Sequence, residues 1–144
     1  MKWNGSLLFC LVLAFYGCDS QDSLSIESYM PVPVNQRVGA VYLTLQNNTD
    51  QDLLLQGART PAAKKTEIHQ TSVSEGIMKM EKINQISVDP GQSLVMKPGG
   101  LHIMLLDLKE VPEPGSEIEL TLMFSGMPDK RIRVPVVSPS DIVE

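Results

Sequence analysis

The sequence predicts an all-β domain, and three observations carry the prediction. Apolar residues alternate at period two, turn signals recur at intervals of roughly eight to twelve residues, and no segment keeps a helical period. The clearest alternation covers residues 39–46, with Val41, Leu43 and Leu45 on one face and Tyr42, Thr44 and Gln46 on the other. A turn follows at residues 47–50, then a short apolar segment at residues 52–58. Residues 117–124 place Ile118, Leu120, Leu122 and Phe124 together, and residues 131–136 do the same for Ile132, Val134 and Val136. Pro135 has no N–H for a ladder, which points to an edge or a bulge there.

Between these segments stand Asp89-Pro90-Gly91, Lys97-Pro98-Gly99-Gly100, Pro114-Gly115 and Gly126-Met127-Pro128-Asp129. Each joins a proline of fixed φ to a glycine that tolerates positive φ. The expected architecture is an antiparallel β-sandwich or Greek-key barrel.

The N-terminal residues set the compartment. Lys2 precedes an apolar run over residues 7–15, an export signal too short to span a bilayer as a permanent helix. The Gly17-Cys18 junction resembles a bacterial lipoprotein cleavage site, at which Cys18 becomes the lipid-bearing residue; the alternative is an ordinary thiol after a secretory signal. Asp19 behind it resembles an inner-membrane retention signal. The expected organisation is a signal at 1–17, a tether at 18–24, one domain at 25–138 and a tail at 139–144, in a periplasmic protein anchored through lipid alone.

Composition excludes several function classes. With the signal gone, eleven Lys and Arg face seventeen Asp and Glu, so no basic patch offers itself to nucleic acid. Cys10 lies inside the signal and Cys18 at its end, leaving the folded part without a disulfide, a thiolate nucleophile or a His₂Cys blue-copper centre. Neither serines nor carboxylates form a catalytic motif, so an enzyme is not expected; Asp107 and Glu110 read as a solvated face.

One constellation carries chemistry. Both histidines of the chain, His69 and His102, have methionines at strand-compatible spacing: Met80 lies eleven residues after His69, and Met104 two residues after His102. Imidazole and thioether together suit copper(I) and not magnesium or calcium. A tight hairpin centred between Ser74 and Glu75 would set His69 opposite Met80, whereas a three-residue loop with Gly76 in the left-handed region would shift the register. Met78 shares the face of Met80 as a further candidate sulfur, and Pro98-Gly99-Gly100 fixes where the strand of His102 and Met104 begins. Singly, a strand methionine more often fills a core gap, the reading that suits Met30, Met96, Met123 and Met127.

His69, Met80 and His102-Ile103-Met104, with the lead-in Lys97-Pro98-Gly99-Gly100, resemble the periplasmic copper chaperone family often called PCuAC, over most of the domain from about residue 39 to 124. The resemblance implies a cupredoxin-like β-sandwich that holds one copper(I) through His69, Met80, His102 and Met104. It further implies a metallochaperone delivering copper to a respiratory oxidase, with the copper-site subunit of cytochrome c oxidase or its assembly factors as acceptor. A monomer is expected. Gln70 stands where the family often has methionine, and the tail holds no histidine or methionine, so a second, copper(II) site is not expected. Neutral thioethers leave the ion open to thiolate competitors, and imidazole protonation would weaken binding in mild acid. The alternatives are a copper-scavenging or storage lipoprotein and a β-sandwich interaction module without metal.

Overall fold

The computed structural model describes residues 23–142, so the export signal and Cys18 lie outside the described residues. Ten strands form in chain order: β1 (Leu24–Pro31), β2 (Val38–Asn47), β3 (Leu53–Arg59), β4 (Ala63–Ser74), β5 (Ile77–Ile83), β6 (Ile86–Val88), β7 (Ser93–Val95), β8 (Leu101–Leu108), β9 (Glu117–Ser125) and β10 (Lys130–Val137). One 3-10 turn (Pro139–Asp141) follows, and no α-helix occurs among the described residues. None of the described helices is long and apolar enough to cross a membrane.

Hydrogen bonding links the strands in the order β5-β4-β8-β2-β1-β10-β9-β3-β6, with β7 pairing to β2. The ladders are antiparallel except one: β1 meets β10 in parallel through Met30↔Val136 and Pro31↔Val137, joining two antiparallel halves into a mixed sheet. The expected all-β class is therefore correct, with a parallel seam that local patterning did not contain.

The alternating residues do what their period requires. Val41, Leu43 and Leu45 of β2, Ile103 and Leu105 of β8, Leu120 and Leu122 of β9, and Val134 and Val136 of β10 are each at most 2 % exposed. They belong to one cluster drawn from both halves of the sheet, so the halves enclose a single core. Each such side chain contributes roughly 1.5–3 kcal/mol by leaving water, and with no cysteine among residues 23–142 this core holds the fold. Met30 and Met96 join it, in keeping with a packing role.

Two local features explain how the strands end. Asn47 is fully buried at the close of β2, where its amide donates to the carbonyls of Gln51 and Val88 and its oxygen accepts from the Thr49 N–H and hydroxyl. Every polar atom of that side chain is thereby satisfied, as a buried amide needs. Pro135 occupies neither an edge strand nor a bulge: it pairs with Glu117, one residue before β10 begins its ladder to β1, where no neighbour on that side asks for its N–H.

A candidate copper centre on the outer face of β4 and β8

The strand β8 is paired on both sides, to β4 and to β2. Its inward residues Ile103 and Leu105 lie in the core, which turns His102 and Met104 to the other face. The start of β8 is set by the turn at residues 97–100: the Gly100 N–H donates to the Lys97 carbonyl at 3.0 Å, Pro98 supplies the fixed φ, and Gly99 takes φ +76°. Pro98-Gly99 thus acts as the positioning device the sequence suggested, in the arrangement of a type II turn.

On β4, His69 stands directly opposite His102, and Glu67 directly opposite Met104. The two imidazole ring centres are 6.0 Å apart and nearly edge-on. An imidazole nitrogen bonds a first-row metal at about 2 Å, so two imidazoles on one ion hold their ring centres roughly 5 to 6 Å apart. The pair is spaced to share an ion with little movement.

The expected register of the β4–β5 hairpin is corrected by the structure. His69 faces Lys82, and Met80 faces Thr71, so Met80 is a diagonal neighbour of His69 on the same face rather than its direct partner. The cause lies in the turn. β4 continues to Ser74, and only Glu75 (φ +52°) and Gly76 (φ +77°) make the reversal, a two-residue loop with both φ positive. This moves the hairpin centre one residue toward the C-terminus and slides the opposed pairs by two positions, which preserves the face. Met78 lies two pairs farther out on the same face, opposite Val73. Met80 is 48 % exposed and Met78 69 %.

The polar surroundings were not singled out in the sequence. The His69 Nε2 lies 2.9 Å from Glu67 Oε2, and Glu67 Oε1 accepts from Lys65 Nζ at 2.8 Å and from Lys82 Nζ at 3.1 Å. These donors, Lys65 first and then His69 and Lys82, hold the Glu67 carboxyl down at about 2. The signal available was spacing: Lys65, Glu67 and His69 alternate on one strand and so share a face. His102 is buried; its Nδ1 donates to the Gly100 carbonyl at 3.0 Å, which leaves Nε2 for a ligand. The Nδ1 of His69 is buried without any hydrogen-bond partner.

Tyr42 of β2 completes the wall beside His102, with ring centres 6.4 Å apart, and Tyr29 of β1 packs against Tyr42 with centres 5.4 Å apart and the rings tilted by 43°. Burial and then the neighbouring Tyr29 push the Tyr42 phenol upward, so it stays neutral. An apolar groove of about 240 Å³ adjoins Met104 and Tyr42 and is bordered by Pro31, Pro33 and Val34. A larger concavity of about 390 Å³, between Pro61 and residues 109–118, contains neither histidine nor methionine and lies apart from this chemistry. Among the described residues no three His, Cys, Asp or Glu side chains gather as a harder metal would require.

Comparison with known proteins gives first the class. The fold is that of PCuAC domains: the copper-bound PCuAC domain from PmoF2 superposes with a TM-score of 0.68 at 22 % identity, over 81 % of this chain and 94 % of that one. The solution structure of CuI-DR1885 from Deinococcus radiodurans gives 0.67 at 25 % identity, over 85 % and 83 %. The family follows from the sequence itself: the model described as "Putative lipoprotein LpqE-like" matches residues 26–136, and the chain belongs to that LpqE-like family. A Leifsonia xyli subsp. xyli protein named as a putative lipoprotein is 32 % identical over 98 residues, 67 % of this chain and 59 % of its own length. An uncharacterized Rickettsia prowazekii protein is 33 % identical over 100 residues, 69 % of this chain and 55 % of its own. The chain thus spans rather more than half the length of the curated relatives it matches.

Proposed function

We propose that this domain is an exported copper(I) carrier, bound to a membrane through Cys18, in which His69, His102, Met104 and Met80 hold the ion. The observation that carries the reading is the opposed pair His69 and His102, each with one ring nitrogen engaged by the protein and the other without a protein partner, on a face shared with two thioethers. Relatives of this fold include one described with copper(I) and one described as copper-bound, which supports the choice of ion. Membership in a family named for lipoproteins supports the anchor.

The ligand chemistry suits carrying rather than catalysis. Two neutral imidazoles and two neutral thioethers bind copper(I) without burying added charge. Met80 sits half-exposed on the edge strand, where an incoming thiolate of an acceptor protein reaches the ion by displacing one weak ligand at a time. The acceptor in this reading is the copper-site subunit of a respiratory oxidase or its assembly factors, and no enzymatic step is required of the carrier.

Titration of the purified protein with copper(I) against a competing chelator tests the site. The His102→Ala, Met104→Ala double variant should lose tight binding; binding equal to wild type would refute the assignment. Deleting the gene tests delivery: loss of oxidase activity in low copper, restored by added copper, is expected of a carrier. Sensitivity to high copper with normal oxidase would indicate a scavenger instead.

A further inference from the structure

We propose that Glu67 is a positioning residue that fixes His69 as its Nε2–H tautomer and thereby makes Nδ1 the atom His69 offers to copper(I). This rests on the reading of His69 and His102 as copper ligands. An ionised carboxylate only accepts hydrogen bonds, so the nitrogen 2.9 Å from Glu67 Oε2 must carry the proton. In a neutral ring the lone pair then resides on Nδ1. That atom is the buried side-chain nitrogen left without a partner among the described residues, an arrangement that a coordinated ion satisfies.

The carboxylate is itself held. Lys65 and Lys82 both donate to Glu67 Oε1, which keeps Oε2 turned toward His69. Lys82 comes from β5 and stands opposite His69, so the same clamp ties the strand of Met80 to the imidazole. His102 is set the other way, because its Nδ1–H donates to the Gly100 carbonyl and Nε2 remains. The two histidines therefore bind through opposite ring nitrogens, and neither ring has to release a proton when copper(I) enters.

Long-range proton–nitrogen correlation spectra of the ¹⁵N-labelled full chain, recorded anaerobically before and after copper(I) addition, test this directly. His69 should show a protonated Nε2 in the copper-free protein, and copper(I) should move the resonances of His69 Nδ1 and His102 Nε2. A Glu67→Gln amide both donates and accepts, so it should give mixed His69 tautomers and a copper(I) affinity about 10- to 100-fold lower. Glu67→Asp should restore the tautomer preference and part of the affinity. A shift at His69 Nε2 in the wild type would overturn the inference while leaving both histidines as ligands, and so would unchanged tautomer and affinity in Glu67→Gln. Failure of either ring to respond would overturn the copper reading as well. The wild-type spectra decide the coordinating atom even if the variant does not fold.

Discussion

His102 and Met104 on β8 and Met78 and Met80 on β5 place candidate soft ligands, an imidazole with a thioether against two thioethers, on one face of one sheet, yet their surroundings are opposite. The strand β8 is paired on both sides, and His102 is 6 % exposed, oriented by the Gly100 carbonyl and walled by Tyr42. The strand β5 pairs on one side only, and its methionines stand in solvent. A candidate copper site divided in this way has a preset imidazole side and an open thioether side. The first favours capture and the second favours release, which is what a carrier needs and an electron-transfer centre does not.

On β8 itself neighbouring residues serve the two faces, and substitutions there should have the most divergent effects. Leu105→Ala removes a side chain with no solvent exposure and should cost about 2–5 kcal/mol in urea unfolding. Met104→Ala, one residue away, should leave unfolding nearly unchanged while weakening copper(I) binding. Comparable losses of stability in both would erase the distinction between a structural and a ligand face.

Next in size is the imidazole side. His69→Ala or His102→Ala should lower copper(I) affinity by more than the roughly 10- to 100-fold that loss of an outer-shell partner costs, as read by chelator competition. The open side should respond less and through the backbone. Gly76→Ala places a side chain at φ +77°, a strain of roughly 1–2 kcal/mol, and should speed amide exchange along β5 while leaving β8 protected.

How much of this was legible in the sequence depends on whether a feature is local. The faces of β2, β9 and β10 follow from alternation, and the onset of β8 follows from Pro98-Gly99, because each is set by residues a few positions apart. The hairpin register was missed because Glu75 adopts positive φ, a conformation that asparagine or glycine would have announced and glutamate does not. The strand β1 escaped because Ser28 interrupts its apolar alternation of Leu24, Ile26 and Met30. The opposition of His69 to His102 and the parallel seam between β1 and β10 are non-local pairings, and period-two patterning says nothing about which strand lies beside which. Glu67 carries no sequence signal of its own, because a carboxylate two residues after Lys65 on a strand reads as ordinary surface, and only the folded strand sets it against the His69 ring.

The smallest expected effect is on acid stability. The folded carboxyl of Glu67 is held near 2, below its ordinary value of 4.5, so its ion pairs stabilise the fold above about pH 4.5 and that contribution is lost as pH falls toward 2. Urea midpoints of the metal-free wild type and Glu67→Gln should therefore differ at pH 6 and converge near pH 2. A gap that widens on acidification would contradict the clamp.

Whether these four side chains hold copper(I) together can be read from X-ray absorption at the copper edge of the copper(I)-loaded protein. The copper should be bound by two imidazole nitrogens and two thioether sulfurs, with one sulfur lost in Met80→Ala and one nitrogen lost in His69→Ala. A shell without sulfur, or one unchanged by either substitution, would contradict it.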